Sequence, residues 1–372
     1  MKLLHLSDLH LGKRVFEYSM LEEQREMLRQ ALEMAKRADI TVIAGDIYDR
    51  PVPPAEAVSL FNAFLTDMHG QGSRVAMISG NHDSAERIAF ASGLLGESGV
   101  YVSPVYDGAV RRVELADAFG AVHLYLLPFI KPSHVRAALG NDEIEGYTAA
   151  MRAVIETMAL DENARNVLVA HQFVTGAATS DSEEVSVGGL DGVDASVFAP
   201  FDYVALGHLH RAQKLAGGRA AYSGSPVCYS FSECGQGKCA LLVELGQKGD
   251  VRAESLPFTP VHPMTKRRGR FDDLYRAENA CADYVQITLT DEDDVPNAAA
   301  KLGEIYPNLM QVLYDNTRTR ARQADFAALD VRRREPIELF EELFAKQNGA
   351  AMTDAQRALL RDIMEPIWED ER

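Results

Sequence analysis

The chain has 372 residues, 47% hydrophobic and 25% charged, a composition that fits a globular protein with a large core and appended modules. No apolar run approaches the roughly 18–20 residues that a bilayer-crossing helix needs. The formal net charge of −17 argues against a free-standing binder that grips nucleic acid through bulk positive charge.

The start, Met-Lys-Leu-Leu-His-Leu-Ser-Asp, enters a strand pattern at once and lacks a signal peptide's apolar core, so a cytoplasmic location is expected. Apolar runs predict strands over Leu3–Ser7, Ile40–Gly45 and Arg74–Ser79. Between them, helical spacing of Leu28, Ala31, Leu32 and Ala35 predicts a helix over Glu22–Arg37, and Pro53-Pro54 opens another over Ala55–Met68. This β-α alternation implies a buried sheet with helices outside it. From Val100 the pattern favours strands: Ala121–Leu127, Asn166–Ala170, Tyr203–Leu206, Lys238–Leu245 and Val251–Leu256, with a helix over Gly146–Leu160. Thr175–Asp194, rich in glycine and acids, reads as a long surface loop near the site. The composition breaks at Leu256–Arg270, which carries three prolines and a basic run. Strands at Tyr284–Leu289 and Leu309–Tyr314 then flank a helix at Pro296–Ile305. A second basic stretch, Arg318–Arg334, leads to two terminal helices. The first is Pro336–Lys346, and the second opens on the capping-box pattern Thr353-x-x-Gln356. The expected fold is therefore α/β: two packed β-sheets flanked by helices, a small α+β module and a C-terminal helical pair. The expected boundaries are 1–262, 263–330 and 331–372.

Five strand ends carry oxygen and nitrogen donors: Asp8-Leu9-His10, Gly45-Asp46-Ile47-Tyr48-Asp49, Gly80-Asn81-His82-Asp83, His171 and Gly207-His208-Leu209-His210. Open α/β sheets bind ligands beyond the carboxyl ends of their strands, so distant segments can share one cleft. Residues two apart in extended chain face the same side, which lets Asp8 with His10, and His208 with His210, act together. Oxygen donors suit hard divalent cations and imidazole suits first-row metals. A metal pair about 3.5–4 Å apart clamps both oxygens of an in-line displacement at phosphorus. Any one of these groups alone reads as a turn, a cap or a satisfied core residue; the ordered set of five points to phosphate-ester hydrolysis. His5, His69, His123, His134 and His262 have no such company and read as structural. Cys228, Cys234, Cys239 and Cys281 form no Cys-x-x-Cys pair and read as small buried hydrophobes.

The series Asp-x-His, Gly-Asp-x-x-Asp, Gly-Asn-His-Asp, His and Gly-His-x-His resembles the calcineurin-like metallophosphoesterase superfamily. The opening residues 1–12, Ala44–Asp49, Tyr203–Gln213 and Tyr222–Glu233 resemble its bacterial DNA nucleases, which act as subunits beside an ATPase. The likeness is strong over about residues 1–260 and weaker beyond. It implies that one metal takes Asp8, His10 and His210, that the other takes Asn81, His171 and His208, and that Asp46 bridges them, with manganese as the metal. It further implies that His82 is the general acid, with Asp49 orienting its ring, although some relatives carry a second His where this chain has Asp49. Double-strand exonuclease and single-strand or hairpin endonuclease activity in DNA repair and recombination would follow.

No intact Gly-x-x-x-x-Gly-Lys-Ser/Thr loop is present; near Gly237-Lys238, Ser232 and Cys239 replace the required residues. The resemblance supplies an SMC-like coiled-coil ATPase as partner and a homodimer formed through residues 54–95 within a heterotetramer; the short C-terminal helices, marginal alone, either fold back on the nuclease domain or bind the base of that partner's coiled coil. Lys266–Arg270 and Arg318–Arg334 are candidate DNA contacts or plain solvated surface. Two other readings stay open: a phosphodiesterase or phosphatase for small molecules or phosphoproteins, and a scaffold of the same fold without activity.

Overall fold

The computed structural model describes residues 1–183, 192–320 and 336–360. Two six-stranded sheets form its centre. The first runs in the order Val251–Pro257, Cys239–Leu245, Lys2–Leu6, Ile40–Ala44, Arg74–Ile78, Val100–Val102. Its last four strands are mutually parallel, whereas Cys239–Leu245 is antiparallel to both of its neighbours. The second runs Gln213–Leu215, Ala220–Tyr222, Tyr203–Gly207, Arg165–His171, Gly120–Leu126, Arg111–Asp117. Its four inner strands are parallel and both edges antiparallel.

Alternation along each strand explains why the sheets stack. Leu3, Val42, Ala44, Ala76 and Ile78 of the first sheet share an inner core with Leu124, Leu126, Val167, Val169 and Ala205 of the second. Their neighbours Leu4, Leu6, Ile43, Val75 and Met77 point outward, onto Met27, Leu28, Phe61 and Phe64 of helices Leu21–Ala35 and Ala55–Gly70. On the far side, Leu168, Ala170, Val204 and Leu206 pack on Val135, Met151 and Val154 of helices Pro132–Leu139 and Gly146–Thr157. Strands buried on both faces read as continuous apolar runs, which is why they were visible in the sequence. The helix at Pro132–Leu139 and the short strands Val100–Val102, Gln213–Leu215 and Ala220–Tyr222 were not expected; they are too short to show a period.

The α+β module is a parallel three-stranded sheet, Met264–Gly269, Tyr284–Leu289, Leu309–Tyr314, with helix Ala298–Ile305 packed on it through Leu302. The basic run Lys266–Arg270, expected at a composition break, therefore lies largely in an edge strand. Its charges are partly answered within the module: Arg268 and Arg320 both reach Asp315, and Arg318 reaches Asp294. The rest of the second basic stretch, 321–334, lies outside the described residues. The module is tied to the first helix, since the Glu23 carboxylate accepts from Val261 N, His262 N and His262 Nδ1 at 2.8–2.9 Å. Helix Pro336–Asn348 is followed by the expected capping box, with Thr353 N donating to Gln356 Oε1 (2.9 Å) and Gln356 N to Thr353 Oγ1 (3.3 Å). Residues 331–335 and 361–372 of the expected helical pair lie outside the described residues. Among the described residues, no helix is long and apolar enough to cross a membrane.

Candidate metal centre

All five motif groups sit at strand ends on one edge of the sandwich. After Lys2–Leu6 and Ile40–Ala44 the two chains continue side by side: Asp8 N donates to Gly45 O, His10 N to Asp46 O, and Leu11 N to Ile47 O. This pairing sets Asp8 and His10 against Asp46. Three ligand candidates lie in or near the left-handed region, Asp8 (φ 53°), His10 (φ 43°) and Asp46 (φ 49°), and His208 has φ 112°. Such conformations cost about 1–3 kcal/mol each and persist where the surrounding structure dictates them. Two glycines are required by close approach. A Cβ on Gly80 would lie 2.1 Å from Asp46 Oδ1, and one on Gly207 would lie 1.9 Å from the Ala44 carbonyl oxygen.

Asp46 is the hub. Its Oδ2 lies 3.3 Å from His171 Nε2, 3.6 Å from His10 Nε2 and 4.0 Å from His82 Nε2, while Oδ1 accepts from His82 N at 2.9 Å. On one flank the Nε2 atoms of His10 and His210 face each other at 3.0 Å. Asp8 joins these two, with donor atoms all within 4.8 Å. On the other flank Asn81 Oδ1 lies 3.0 Å from ring nitrogens of both His171 and His208. The seven side chains expected as ligands are thus brought into one cluster, although they come from positions 8 to 210 of the chain.

The electrostatics follow from burial. It pushes the Asp8 carboxyl up to about 6, against the pull of His171 and His210. It opposes ionisation of Asp46 as well, yet His171, His10 and His82 together outweigh it and hold that carboxyl well below the usual range. Burial lowers His10 far below an ordinary imidazole and His208 to about 3. It would also lower His171, but the Asp46 carboxylate outweighs it and raises that ring to about 9. Among the described residues, His10 Nδ1 and His208 Nε2 are buried with no hydrogen-bond partner. Buried polar atoms normally have partners. Imidazole and carboxylate donors of Asp8, His10 and His210, and of Asp8, Asp46 and His171, lie within 4.8 Å of one another, a donor set that fits divalent metal ions, and these residues could hold a pair.

His82 lies at the mouth, its side chain 16% exposed against 0–2% for His171, His10 and Asp46. Asp49 meets that ring through its main chain: His82 Nδ1 lies 3.2 Å from the Asp49 carbonyl oxygen. The Asp49 carboxylate is drawn instead to the Lys13 ammonium at 2.6 Å, with His10 Nδ1 at 3.9 Å. A cation at hydrogen-bond distance outcompetes a ring across the mouth.

Several residues that hold the site were not singled out from sequence. Asp83 accepts from Ile47 N, Tyr48 N and Gly80 N at 2.9–3.0 Å and so joins two ligand loops; burial raises its carboxyl to about 6. Gln24 Nε2 donates to the His10 carbonyl at 2.7 Å. Glu233 is fully buried against Lys238, and His210 Nδ1 lies 3.4 Å from it. Burial opposes its charge, but His210 and Lys238 outweigh that and hold its carboxyl at about 2. The only sequence signal for Glu233 was its place in Ser-Phe-Ser-Glu; Gln24 gave none. His5, by contrast, is a satisfied core histidine between Tyr203 OH and the Leu206 carbonyl. The four cysteines are free.

The chain is similar to known proteins along its whole length. The D subunit of the nuclease SbcCD from Staphylococcus epidermidis is 27% identical over 383 aligned positions that cover 100% of both chains. The family described as Type 5 capsule protein repressor C-terminal domain matches residues 260–348. The family described as Calcineurin-like phosphoesterase matches residues 1–212, the stretch that contains every strand-end donor described above. The chain belongs to the calcineurin-like phosphoesterase family.

Proposed function

We propose that the chain is a manganese-dependent DNA nuclease, a double-strand exonuclease and a single-strand and hairpin endonuclease. It works in the cytoplasm as the nuclease component of a complex with an SMC-like ATPase, in DNA repair and recombination. The observation that carries the reading is the buried Asp46 carboxylate with imidazole nitrogens of His10, His171 and His82 between 3.3 and 4.0 Å away. In this reading Asp8, His10 and His210 hold one ion, Asn81, His171 and His208 hold the other, and Asp46 serves both. A bound metal pair would supply Lewis acidity to the phosphate and lower the pKa of water. His82 donates its Nδ1–H to the Asp49 carbonyl, which leaves Nε2 to exchange a proton with the leaving sugar oxygen. Asp49 fixes the ring through its main chain, while its carboxylate holds Lys13 beside the cleft.

The DNA substrate and the ATPase partner rest on similarity to the SbcCD nuclease component from Staphylococcus epidermidis. Free cysteines suit a reducing compartment. Phe340 and Leu343 of helix Pro336–Asn348 and Leu359 beyond it are 42–61% exposed, as expected of helices that dock on a partner. A homodimer through residues 54–95 completes the proposed assembly. The test is cleavage of end-labelled linear duplex and hairpin DNA, with and without manganese, against a chromogenic diester. Manganese-dependent DNA cleavage is expected; hydrolysis of the diester alone would turn the reading to a small-substrate phosphodiesterase. Deleting residues 336–372 should abolish co-purification with the ATPase and spare the nuclease.

A further inference from the structure

One segment outside the strand-end motifs, residues 225–238, touches both histidines of a single flank. The Tyr229 hydroxyl donates to the Leu9 carbonyl and accepts from Gln24 Nε2 at 3.0 Å, so it braces the loop that carries His10. Its ring stands edge-on to His10 (centroids 5.5 Å apart) and to His210 (5.9 Å). Four residues on, Glu233 accepts from Ser182, whose hydroxyl oxygen lies 2.8 Å from His210 Nδ1. Lys238 neutralises Glu233 and also donates to the His210 carbonyl and to Ser225 Oγ, both at 2.9 Å. The opposite flank is built otherwise, for His171 Nδ1 is held by the main-chain carbonyl of Ala44 at 2.8 Å.

The two facing Nε2 atoms of His10 and His210 are 3.0 Å apart; His210 is held from behind through Nδ1, whereas His10 is held through its loop and by the Tyr229 ring. An imidazole that donates Nδ1–H presents the Nε2 lone pair, and the group accepting that proton fixes tautomer and ring plane. The Ser182–Glu233 chain supplies such an acceptor for His210, and a buried carboxylate can do so because Lys238 pairs it. We infer that Tyr229 and Glu233 are positioning residues that preorganise His10 and His210 for one ion of the pair, so that the two ions depend on different parts of the chain. This rests on the metal-centre reading above.

The test titrates manganese(II) into wild type, Glu233→Ala and Glu233→Gln by calorimetry, and records electron paramagnetic resonance spectra at manganese levels that fill wild type. Wild type should bind two ions and give a spin-coupled spectrum. Glu233→Ala should keep one affinity, lose about 10–100-fold in the other, and show isolated manganese. Glu233→Gln, which keeps an acceptor oxygen, should lie between the two and also decides the matter if Glu233→Ala does not fold. A folded variant with two unaltered affinities, or with both weakened alike, overturns the inference. A wild type that takes up no ion pair overturns the metal-centre reading and this inference with it.

Discussion

His171 and His208 lean on the sheets, whereas His10 and His210 lean on side chains delivered by loops. On the first flank the ring of His171 is held by main chain, the Ala44 carbonyl, and Gly207 lets the strand carrying His208 pack closely against Ala44. On the second flank the supports are Gln24, Tyr229, Ser182 and Glu233. A flank framed by hydrogen-bonded strands inherits its geometry from the fold. One framed by side chains can be loosened one residue at a time while the sheets stay intact.

Asp46 joins the flanks, so its removal should have the largest effect. Asp46→Ala is expected to lose both ions and to lower cleavage by at least about 10³-fold, read by metal analysis alongside the DNA assay; a variant that keeps two ions would remove Asp46 from the centre of the site. His82→Ala should lower cleavage by about 10²–10⁴-fold with metal content unchanged, because its ring stands at the mouth of the cleft. If the metals left with it, His82 would belong to a flank. Asp83→Ala strips the acceptor from three backbone donors, each worth about 1–3 kcal/mol when left unpaired. Its melting temperature should fall by several degrees, with Asp83→Asn falling less. Equal losses in the two variants would argue that packing, not hydrogen bonding, matters there.

The smallest expected effect is an electrostatic control away from both flanks. Hydrogen bonds from Arg165, and then from the amino terminus, hold the Asp117 carboxyl below its usual range. A carboxyl depressed in the folded state adds stability that is fully present above its unfolded pKa of about 3.9. That stability is lost as pH falls toward the lower folded value. Wild type should therefore melt higher than Asp117→Asn at pH 7, and the gap should narrow below about pH 4. A gap independent of pH would mean the pair contributes through shape alone.

The flanks also differ in how far they could be read in advance. The strands at Leu3, Val42, Val75, Val167 and Val204 were legible because central strands buried on both faces are apolar throughout. The donors that follow them were legible because polar ligands directly after such runs, with glycine beside them, have few other reasons to exist. Asp83 stood in a quoted motif, yet its role did not show, because its partners Ile47 and Tyr48 lie 36 and 35 residues away. Glu233 was harder still: its meaning depends on Lys238 and on Ser182 from the long loop, a contact no local pattern encodes. The strand at Met264–Gly269 went unseen because an edge strand can carry charge on its open side, although the composition break there does mark where the module's sheet begins.

Taken alone, the amino-acid order determined the layered α/β plan and which polar residues end up at strand tips. Both are set by near neighbours: alternation by the pleat, and close turns by glycine. Only the tertiary structure decided which histidines face which, that Asp49 turns its carbonyl rather than its carboxylate to His82, and that residues 225–238 reach across to His10 and His210. Those outcomes depend on strand order and on competition among partners up to about two hundred residues apart in the chain, and a one-dimensional pattern carries no term for either.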